Sequence, residues 1–327
     1  MSSRRLLLKG LAGAAASSAL AGRAAAQAAY PSKPVKLIIP FPPGGTTDIV
    51  GRLIAQGLTG GLGHPFVVEN RGGAGGTIGG AEIARAPHDG YTLGVGTVST
   101  LGTAPNTYKK LAYDPRKDYT QIVQVAAVPG IIAVHPSFPA KNYAEFVRTL
   151  KANPGRYNYA SSGNGGVGHM GMELFKSQTG LFITHIGYRG AGPALTDVLG
   201  GNVPIIWDNL SSTLPYVKAG KLVAIGLAYD TRVPQLPDLP TFKELGLKDY
   251  EATTWFGIVG PAGLPAEVVN RVNAEVNRLI TLPDIRQRMF DAGAFPMGGT
   301  PAVMKTAVDK EIEKWAKVVR FANIQPE

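Results

Sequence analysis

The sequence predicts an α/β protein in which two lobes, each a sheet flanked by helices, are built from one chain. At 327 residues, the chain is longer than one hydrophobic core usually requires. Apolar, β-branched runs alternate with helical patterns, and this βαβ order is typical of parallel sheets. The 42 glycines and 25 prolines cluster between these runs, where such a fold needs many short connections.

The first series of elements begins after residue 30. Residues 35–39 form an apolar strand pattern, residues 40–45 cannot be helical, and a helix is predicted to begin at residues 46–48. A second strand pattern ends at Asn70 and a third covers residues 91–100. We therefore expect a parallel βαβαβ unit here.

A second series repeats the alternation, with a helix predicted over residues 143–152 and further strand and helix patterns after it. Helices are also predicted at about 266–281, 284–292 and 301–321. The last has an apolar stripe formed by Met304, Val308, Ile312, Trp315 and Val319. We interpret this stripe as core packing.

Residues 1–28 have the pattern of an export signal that resembles the twin-arginine type, with cleavage expected near residues 26–28. An uncleaved anchor is the alternative. The segment holds Arg4, Arg5, Lys9 and Arg23 and no acidic residue, so its removal lowers the formal net charge from +10 to +6. We expect the mature protein to be soluble outside the cytoplasmic membrane.

Charge and cysteine content exclude several classes of function. The basic residues are scattered singly, which argues against a nucleic-acid partner, whereas a mildly positive surface attracts small anions. The absence of cysteine excludes disulfides, thiolate metal sites and cysteine nucleophiles. The five histidines show no metal-binding spacing, so neither a metal nor a cofactor is expected.

Residues 163–168 match the glycine spacing G-x-G-x-x-G of dinucleotide-binding loops. Such a loop needs an acidic residue about 20 positions later to hold the ribose. Tyr188 and Arg189 stand there instead. A dinucleotide enzyme stays open as one alternative, and a hydrolase that uses Ser162 and His169 stays open as another, although no G-x-S-x-G elbow is present.

Two stretches share the order strand, glycine-rich loop and helix start: residues 42–48 in the first lobe and 161–168 in the second. Each offers free main-chain N–H groups and the positive end of a helix, which suit a carboxylate or a phosphate. Hydroxyl donors are added by Thr46, Thr47, Ser161 and Ser162. Ordinary βα turns are the alternative interpretation.

Five ordered blocks then carry a resemblance: YPSKPVKLIIPFPPGGTTDIVGRLIAQGL, VVENRGGAGGTIGGAEIARAPHDGYTL, YASSGNGGVGHMGMELF, YRGAGPALTDVLGGNV and GPAGLPAEVVNRVNAEV. The chain resembles the Bug-type extracytoplasmic solute receptors, the substrate-binding proteins of tripartite tricarboxylate transporters. This resemblance implies a two-lobed periplasmic binding protein of the Venus flytrap kind, type II-like. The expected lobes are residues 29–128 with 258–327, and residues 129–257.

The resemblance places the first-lobe ligand contacts at Gly45, Thr46, Thr47 and Asp48, and the second-lobe contacts at Ser161, Ser162, Gly163 and Asn164. Further candidates are Gly76, Thr77, Thr97 and Ser99. From the residues alone, Arg189 could pair with a carboxylate, Asp208 could select a ligand amine or a water, and Tyr188 could form an aromatic wall, as could Phe41, Trp207 and Trp255. Asp48 is expected to stabilise its helix rather than contact an anion.

The expected function is that of a monomeric periplasmic receptor, not an enzyme. It would capture a di- or tricarboxylate, an acidic amino acid or an aromatic acid and deliver it to a membrane permease. A sensor that reports to a signalling partner is the alternative.

Overall fold

The computed structural model describes residues 30–326. The predicted export signal, residues 1–28, lies outside the described residues. The strands are β1 (Val35–Ile39), β2 (Phe66–Asn70), β3 (Thr92–Thr97), β4 (Tyr119–Val128), β5 (Gly130–Val134), β6 (Asn158–Ser161), β7 (Thr184–Gly187), β8 (Ile205–Asn209), β9 (Val223–Ala228), β10 (Thr254–Pro261) and β11 (Phe295–Gly298).

The helices are α1 (Thr46–Leu62), α2 (Thr77–Ala84), α3 (Ala104–Thr107), α4 (Tyr143–Ala152), α5 (Val167–Thr179), α6 (Ala191–Leu199), α7 (Leu210–Lys218), α8 (Ala266–Leu279), α9 (Pro283–Asp291) and α10 (Pro301–Phe321). A short π-helical segment covers Val98–Thr103, where the sequence predicted the end of a strand. Thr97 caps this segment by accepting a hydrogen bond from the Thr100 N–H, which explains why the strand stops there.

Two mixed sheets, each flanked by helices, form the two lobes. The first has the strand order β11-β4-β10-β3-β1-β2 and the second has the order β7-β6-β8-β5-β9. If β11 is left out, the strands of the two sheets correspond in position: β4, β10, β3, β1 and β2 of the first match β9, β5, β8, β6 and β7 of the second. In each lobe three parallel strands are followed by an antiparallel strand that arrives from the other lobe, which is β10 in the first and β5 in the second.

The predicted parallel βαβαβ unit is confirmed by β1, β2 and β3, and the antiparallel strands β5 and β10 make both sheets mixed. Both β5 and β10 start where the chain crosses between the lobes and run away from that junction, whereas β1, β3 and β8 end near it. Opposite directions follow from this path of the chain.

The chain crosses between the lobes twice. Pro129 alone joins β4 to β5, and residues 229–253 lead from β9 back to β10. Thr254 pairs with Val128 and Phe256 pairs with Thr97 of the first sheet. The predicted lobe boundary at 257/258 thus falls inside β10.

The amphipathic helices pack as the apolar periodicity predicts. On α10, Met304, Val308, Ile312 and Trp315 are buried in the core. The predicted stripe is confirmed, although Val318 is buried next to a partly buried Val319 at its end. The helix begins at Thr300, whose side chain accepts a hydrogen bond from the N–H of Val303.

Candidate functional site

A small cavity lies between the two lobes, where β1, β3 and β8 end and β10 begins. Its volume is about 20 Å³, which is room for roughly one water molecule. The lining residues are Phe41, Gly45, Thr46, Thr47, Thr97, Ser99, Ser162, Val167, Ala191, Asp208, Asn209, Thr254 and Phe256. The lobes are in close contact here, so a solute larger than water requires them to move apart.

Four helices from both lobes begin at this cavity: α1, α5, α6 and α7. Their N-cap residues are Gly45, Gly166, Gly190 and Asn209, and none of these caps its helix with a side chain. By contrast, Asn142 and Thr300 cap α4 and α10 with their side chains, away from the cavity. The first turns of α1 and α6, which have no side-chain cap among the described residues, present main-chain N–H groups and positive dipole ends, which favour an anion.

The G-x-G-x-x-G glycines allow the two lobes to approach each other. Gly163 has φ +146°, and a Cβ there would lie 3.1 Å from the Cα of Gly75 in the first lobe. Gly165 has φ +65°, and a Cβ there would lie 2.5 Å from Thr107 Oγ1, also in the first lobe. Gly168 packs against Trp207. The motif therefore accommodates protein backbone and side chains where the fingerprint would predict a pyrophosphate.

Hydroxyl groups of the first lobe cap helices of the second. Thr46 Oγ1 lies 2.9 Å from Ser212 Oγ and accepts the Ser212 N–H at 3.1 Å, in the first turn of α7. Ser99 Oγ accepts the Val167 N–H at 3.1 Å, at the start of α5. These two contacts make Thr46 and Ser99 part of the junction between the lobes as well as of the cavity wall.

Seven of the predicted ligand-binding residues line the cavity, namely Gly45, Thr46, Thr47, Thr97, Ser99, Ser162 and Asp208. The others lie outside its lining, namely Asp48, Gly76, Thr77, Ser161, Gly163, Asn164, Tyr188 and Arg189.

Asp48 is buried, but its carboxylate is held by groups of its own lobe. It accepts hydrogen bonds from Arg52 Nε at 2.8 Å, from Asn70 Nδ2 at 2.9 Å and from the Gly44 N–H at 3.2 Å. These contacts fix the loop that precedes α1. Thr77 lies in a separate surface groove of the first lobe, where its hydroxyl donates to the carbonyl of Ala74.

Ser161 supports the second-lobe loop from behind. It is fully buried, and its Oγ lies 2.7 Å from Nε2 of His185. His185 stacks on His169 with ring centroids 4.0 Å apart, and His169 Nδ1 accepts the Gly165 N–H. Burial lowers the pKa of both histidines, that of His185 to about 3, so both rings are neutral near pH 7.

Tyr188 and Arg189 face away from the cavity. The Tyr188 hydroxyl donates to Asp197 Oδ2 at 2.5 Å, and this hydrogen bond lowers the pKa of Asp197. Arg189 is exposed. The Trp207 Nε1–H donates to the Tyr250 hydroxyl at 2.8 Å in the core of the second lobe, and Trp255 lies on another surface groove. Phe41 alone among the suggested aromatic walls lines the cavity.

Asp208 lies in the cavity wall and is buried. Its Oδ2 accepts hydrogen bonds from Ser212 Oγ at 2.6 Å and from Thr213 Oγ1 at 3.1 Å. Burial raises the pKa of Asp208 to about 6 in spite of these donors.

Several lining residues were not predicted from the sequence: Val167, Ala191, Asn209, Thr254 and Phe256. Thr254 Oγ1 and Asn209 Oδ1 are buried and have no hydrogen-bond partner among the described residues. Buried polar atoms without partners are unusual, so these two are candidates for hydrogen bonds to a bound solute or water. The only sequence signal was the position of Thr254 near a predicted crossing between lobes.

Within residues 30–326, no group of three or more His, Cys, Asp or Glu side chains is arranged to hold a metal ion. The same part of the chain contains no helix that combines the length and the apolar character needed to cross a membrane.

Known proteins resemble this chain over most of its length. Residues 50–324 match the family model described as tripartite tricarboxylate transporter family receptor. Protein BugT of Bordetella pertussis is 34% identical over 292 residues, which cover 89% of this chain and 90% of BugT. The structure of R. palustris Rpa4515 with adipate is 36% identical with a TM-score of 0.89, over 91% of this chain and all of that one.

MatC from Rhodopseudomonas palustris, solved with bound malate, is 34% identical with a TM-score of 0.85, over 89% of this chain and all of MatC. The family match and the likeness to BugT confirm the Bug-type resemblance. The chain belongs to the receptor family of the tripartite tricarboxylate transporters.

Proposed function

We propose that the protein captures a small carboxylate between its two lobes and delivers it to the membrane subunits of a tripartite tricarboxylate transporter. The observation that carries this proposal is the set of four helix N-termini, from both lobes, that face one cavity; α1 in the first lobe and α6 in the second have no side-chain cap among the described residues. Main-chain N–H groups and helix dipoles bind a carboxylate without a lysine or an arginine. No basic residue lines the cavity in the described part of the chain.

The comparisons support the same ligand class, because two similar receptors were solved with adipate and with malate. In our proposal the ligand carboxylates bind to the first turns of α1, α5 and α6 and to the hydroxyls of Thr47 and Ser162. Thr254 and Asn209 add polar atoms that have no protein partner. We propose no catalytic step, because His169 accepts the Gly165 N–H at Nδ1 and stacks on His185, and no hydrogen bond joins it to Ser162 among the described residues.

We also propose that the protein is exported to the periplasm and acts there as a monomer, with its signal removed near residues 26–28. The N-terminal pattern and the periplasmic setting of the receptor family support this location. Sequencing the N-terminus of the protein from a periplasmic extract tests the cleavage.

A thermal-shift panel tests the ligand class. Adipate, malate, citrate, glutamate and benzoate are added separately to the protein without its signal. A ligand that binds only the folded state stabilises it by about 2.7 kcal/mol at a concentration of 100 times Kd. We expect at least one acid to raise the Tm clearly while the matching alcohol or amide does not. No shift for any acid, at pH 6 or at pH 8, would contradict the proposed function.

A further inference from the structure

Asp208 carries the one titratable side chain among the described residues that line the cavity. Asp208 is 3% exposed, and no described lysine, arginine or histidine lines the same cavity. An ionised carboxylate at this position repels a bound carboxylate at short range in a poorly hydrated setting. The proposed ligand and Asp208 are therefore in conflict if both are ionised.

Two hydroxyl groups beside Asp208 donate to the same one of its two carboxyl oxygens. Ser212 Oγ and Thr213 Oγ1 both donate to Oδ2, while Thr46 links Ser212 to the first lobe. The main-chain N–H of Asn209 also donates to the carboxylate. Because Oδ2 accepts two hydroxyls, we assign the proton of the neutral carboxyl group to Oδ1 as part of the proposal. A protonated Oδ1 is a hydrogen-bond donor, as a carboxylate ligand requires.

Within residues 30–326, no basic side chain lines the cavity to keep Asp208 ionised. The titratable or charged side chains on the elements around it are Asp48 and Arg52 on α1, Tyr159 on β6, His169, Glu173 and Lys176 on α5, Asp197 on α6, and Tyr216 and Lys218 on α7. None of them lines the cavity, and neither β5 nor β10 carries such a group.

The basic side chains on the helices that follow the two cavity-lining loops already form ion pairs. Arg52 is paired with Asp48, and Lys176 is paired with Glu173. His169 is neutral near pH 7 because burial lowers its pKa. A titration between pH 6 and pH 8 that affects the cavity therefore points to Asp208, whose pKa burial raises to about 6.

We propose that Asp208 binds the ligand as a neutral carboxyl group, so that capture of a carboxylate takes up one proton. The Oδ1–H donates a hydrogen bond to a ligand oxygen, and the proton comes from solution. This proposal rests on the proposed function and narrows it to acids without an ammonium group. An ionised Asp208 would instead select an amino acid by pairing with its ammonium.

Proton uptake on binding makes the ligand affinity fall as the pH rises. A bound anion raises the pKa of Asp208 further, so the complex holds more protons than the free protein above about pH 6. The Kd therefore rises with pH, by up to about tenfold for each unit, and it levels off at acid pH where Asp208 is already neutral.

Isothermal titration calorimetry of the wild-type protein tests the proposal. The titrant is whichever of adipate, malate, citrate, glutamate and benzoate gives the largest thermal shift. It is measured at pH 6, 7 and 8, and at pH 8 in both HEPES and Tris, which differ in ionisation enthalpy and contain no phosphate. We expect the Kd to rise about tenfold from pH 7 to pH 8, and the difference in enthalpy between the buffers to correspond to uptake of about one proton at pH 8.

Asp208→Asn supplies a neutral donor of the same shape. We expect it to bind at pH 8 at least as tightly as the wild type and to lose the pH dependence. Asp230→Asn is the matched control, because the Asp230 side chain is 85% exposed and lies outside the cavity lining. It should keep the wild-type pH dependence. If Asp208→Asn does not fold, the comparison of buffers with the wild-type protein still tests whether binding takes up a proton.

A Kd that changes less than about twofold between pH 6 and pH 8, with an enthalpy independent of buffer, overturns the proposal. Binding of glutamate alone, abolished in Asp208→Asn, also overturns it, because Asp208 then acts as an anion toward an ammonium. That outcome leaves the proposed receptor function standing. If no acid in the panel binds at either pH, the receptor function and this proposal both fail.

Discussion

The loop of the first lobe, residues 41–48, and the loop of the second, residues 161–168, have the same local design but different positions in the site. Gly45, Thr46 and Thr47 all line the cavity, whereas only Ser162 and Val167 of the second loop do so. Gly163 and Gly165 of the second loop lie against the first lobe instead. From this comparison we propose that the first loop mainly binds the solute and that the second mainly determines how closely the lobes approach.

The largest effect is expected for Gly165→Ala. Its comparison with Gly180→Ala distinguishes a block on the approach of the lobes from backbone strain alone. Gly165 and Gly180 have nearly the same φ, +65° and +68°. A Cβ on Gly165 would clash with Thr107 of the first lobe, whereas a Cβ on Gly180 meets nothing within 4 Å. Alanine at either position costs about 1 to 2 kcal/mol for its left-handed conformation. We expect Gly165→Ala alone to raise the ligand Kd, by about tenfold or more.

Calorimetric titration and chemical denaturation of both variants check this prediction. Equal Kd values for Gly165→Ala and Gly180→Ala would show that the second loop does not control the approach of the lobes.

The next effect concerns hydroxyl donors in the two loops. Thr47→Val combined with Ser162→Ala removes one donor from each lobe. At about 1 kcal/mol for each hydrogen bond, the Kd should rise roughly 10- to 30-fold. Thr306→Val serves as the control, since that hydroxyl bonds the Ala302 carbonyl on the surface of α10. An unchanged Kd in the double variant would remove these hydroxyls from the site.

A smaller effect is expected at the junction where β10 begins. Thr254 Oγ1 has no partner among the described residues, so Thr254→Val should leave the free energy of unfolding unchanged or raise it by about 1 kcal/mol. The same change should weaken ligand binding about fivefold. Thr213→Val, which loses a hydrogen bond to Asp208, should instead destabilise the free protein. Denaturant titrations of both variants, with and without ligand, distinguish these outcomes.

The smallest effect is predicted for Arg189. Its side chain is exposed and lies outside the cavity lining, so Arg189→Ala should change the Kd less than about twofold. A tenfold loss measured by calorimetry would place the guanidinium on the ligand.

The sequence predicted the parts of the site that depend on local order along the chain. A strand, a glycine-rich loop and a helix start predict the position of Gly45, Thr46 and Thr47, because these features are adjacent in sequence. The same reasoning predicted Ser161 and Ser162 in the second loop, and the family resemblance added Gly163 and Asn164, but neither could tell which of these residues would reach the cavity. Ser161 is turned to His185, and Asn164 is exposed.

Long-range contacts could not be predicted in this way. Thr254 reaches the cavity because β10 returns from the other lobe, and Thr46 caps α7 although Ser212 is 166 positions away. The antiparallel course of β5 and β10 has the same origin in the two crossings. The G-x-G-x-x-G spacing was ambiguous because glycines that admit a pyrophosphate and glycines that admit another protein segment follow the same local rules.

The central claim is that main-chain N–H groups of uncapped helix starts in both lobes hold one carboxylate. Amide NMR spectra recorded during titration with the acid selected by the thermal-shift panel test it most directly. We predict large downfield proton shifts for Thr46 and Thr47 in the first lobe and for Ala191 in the second, with no such shifts at the starts of α4 and α10. Shifts confined to one lobe, or found mainly around Arg189, would contradict the claim.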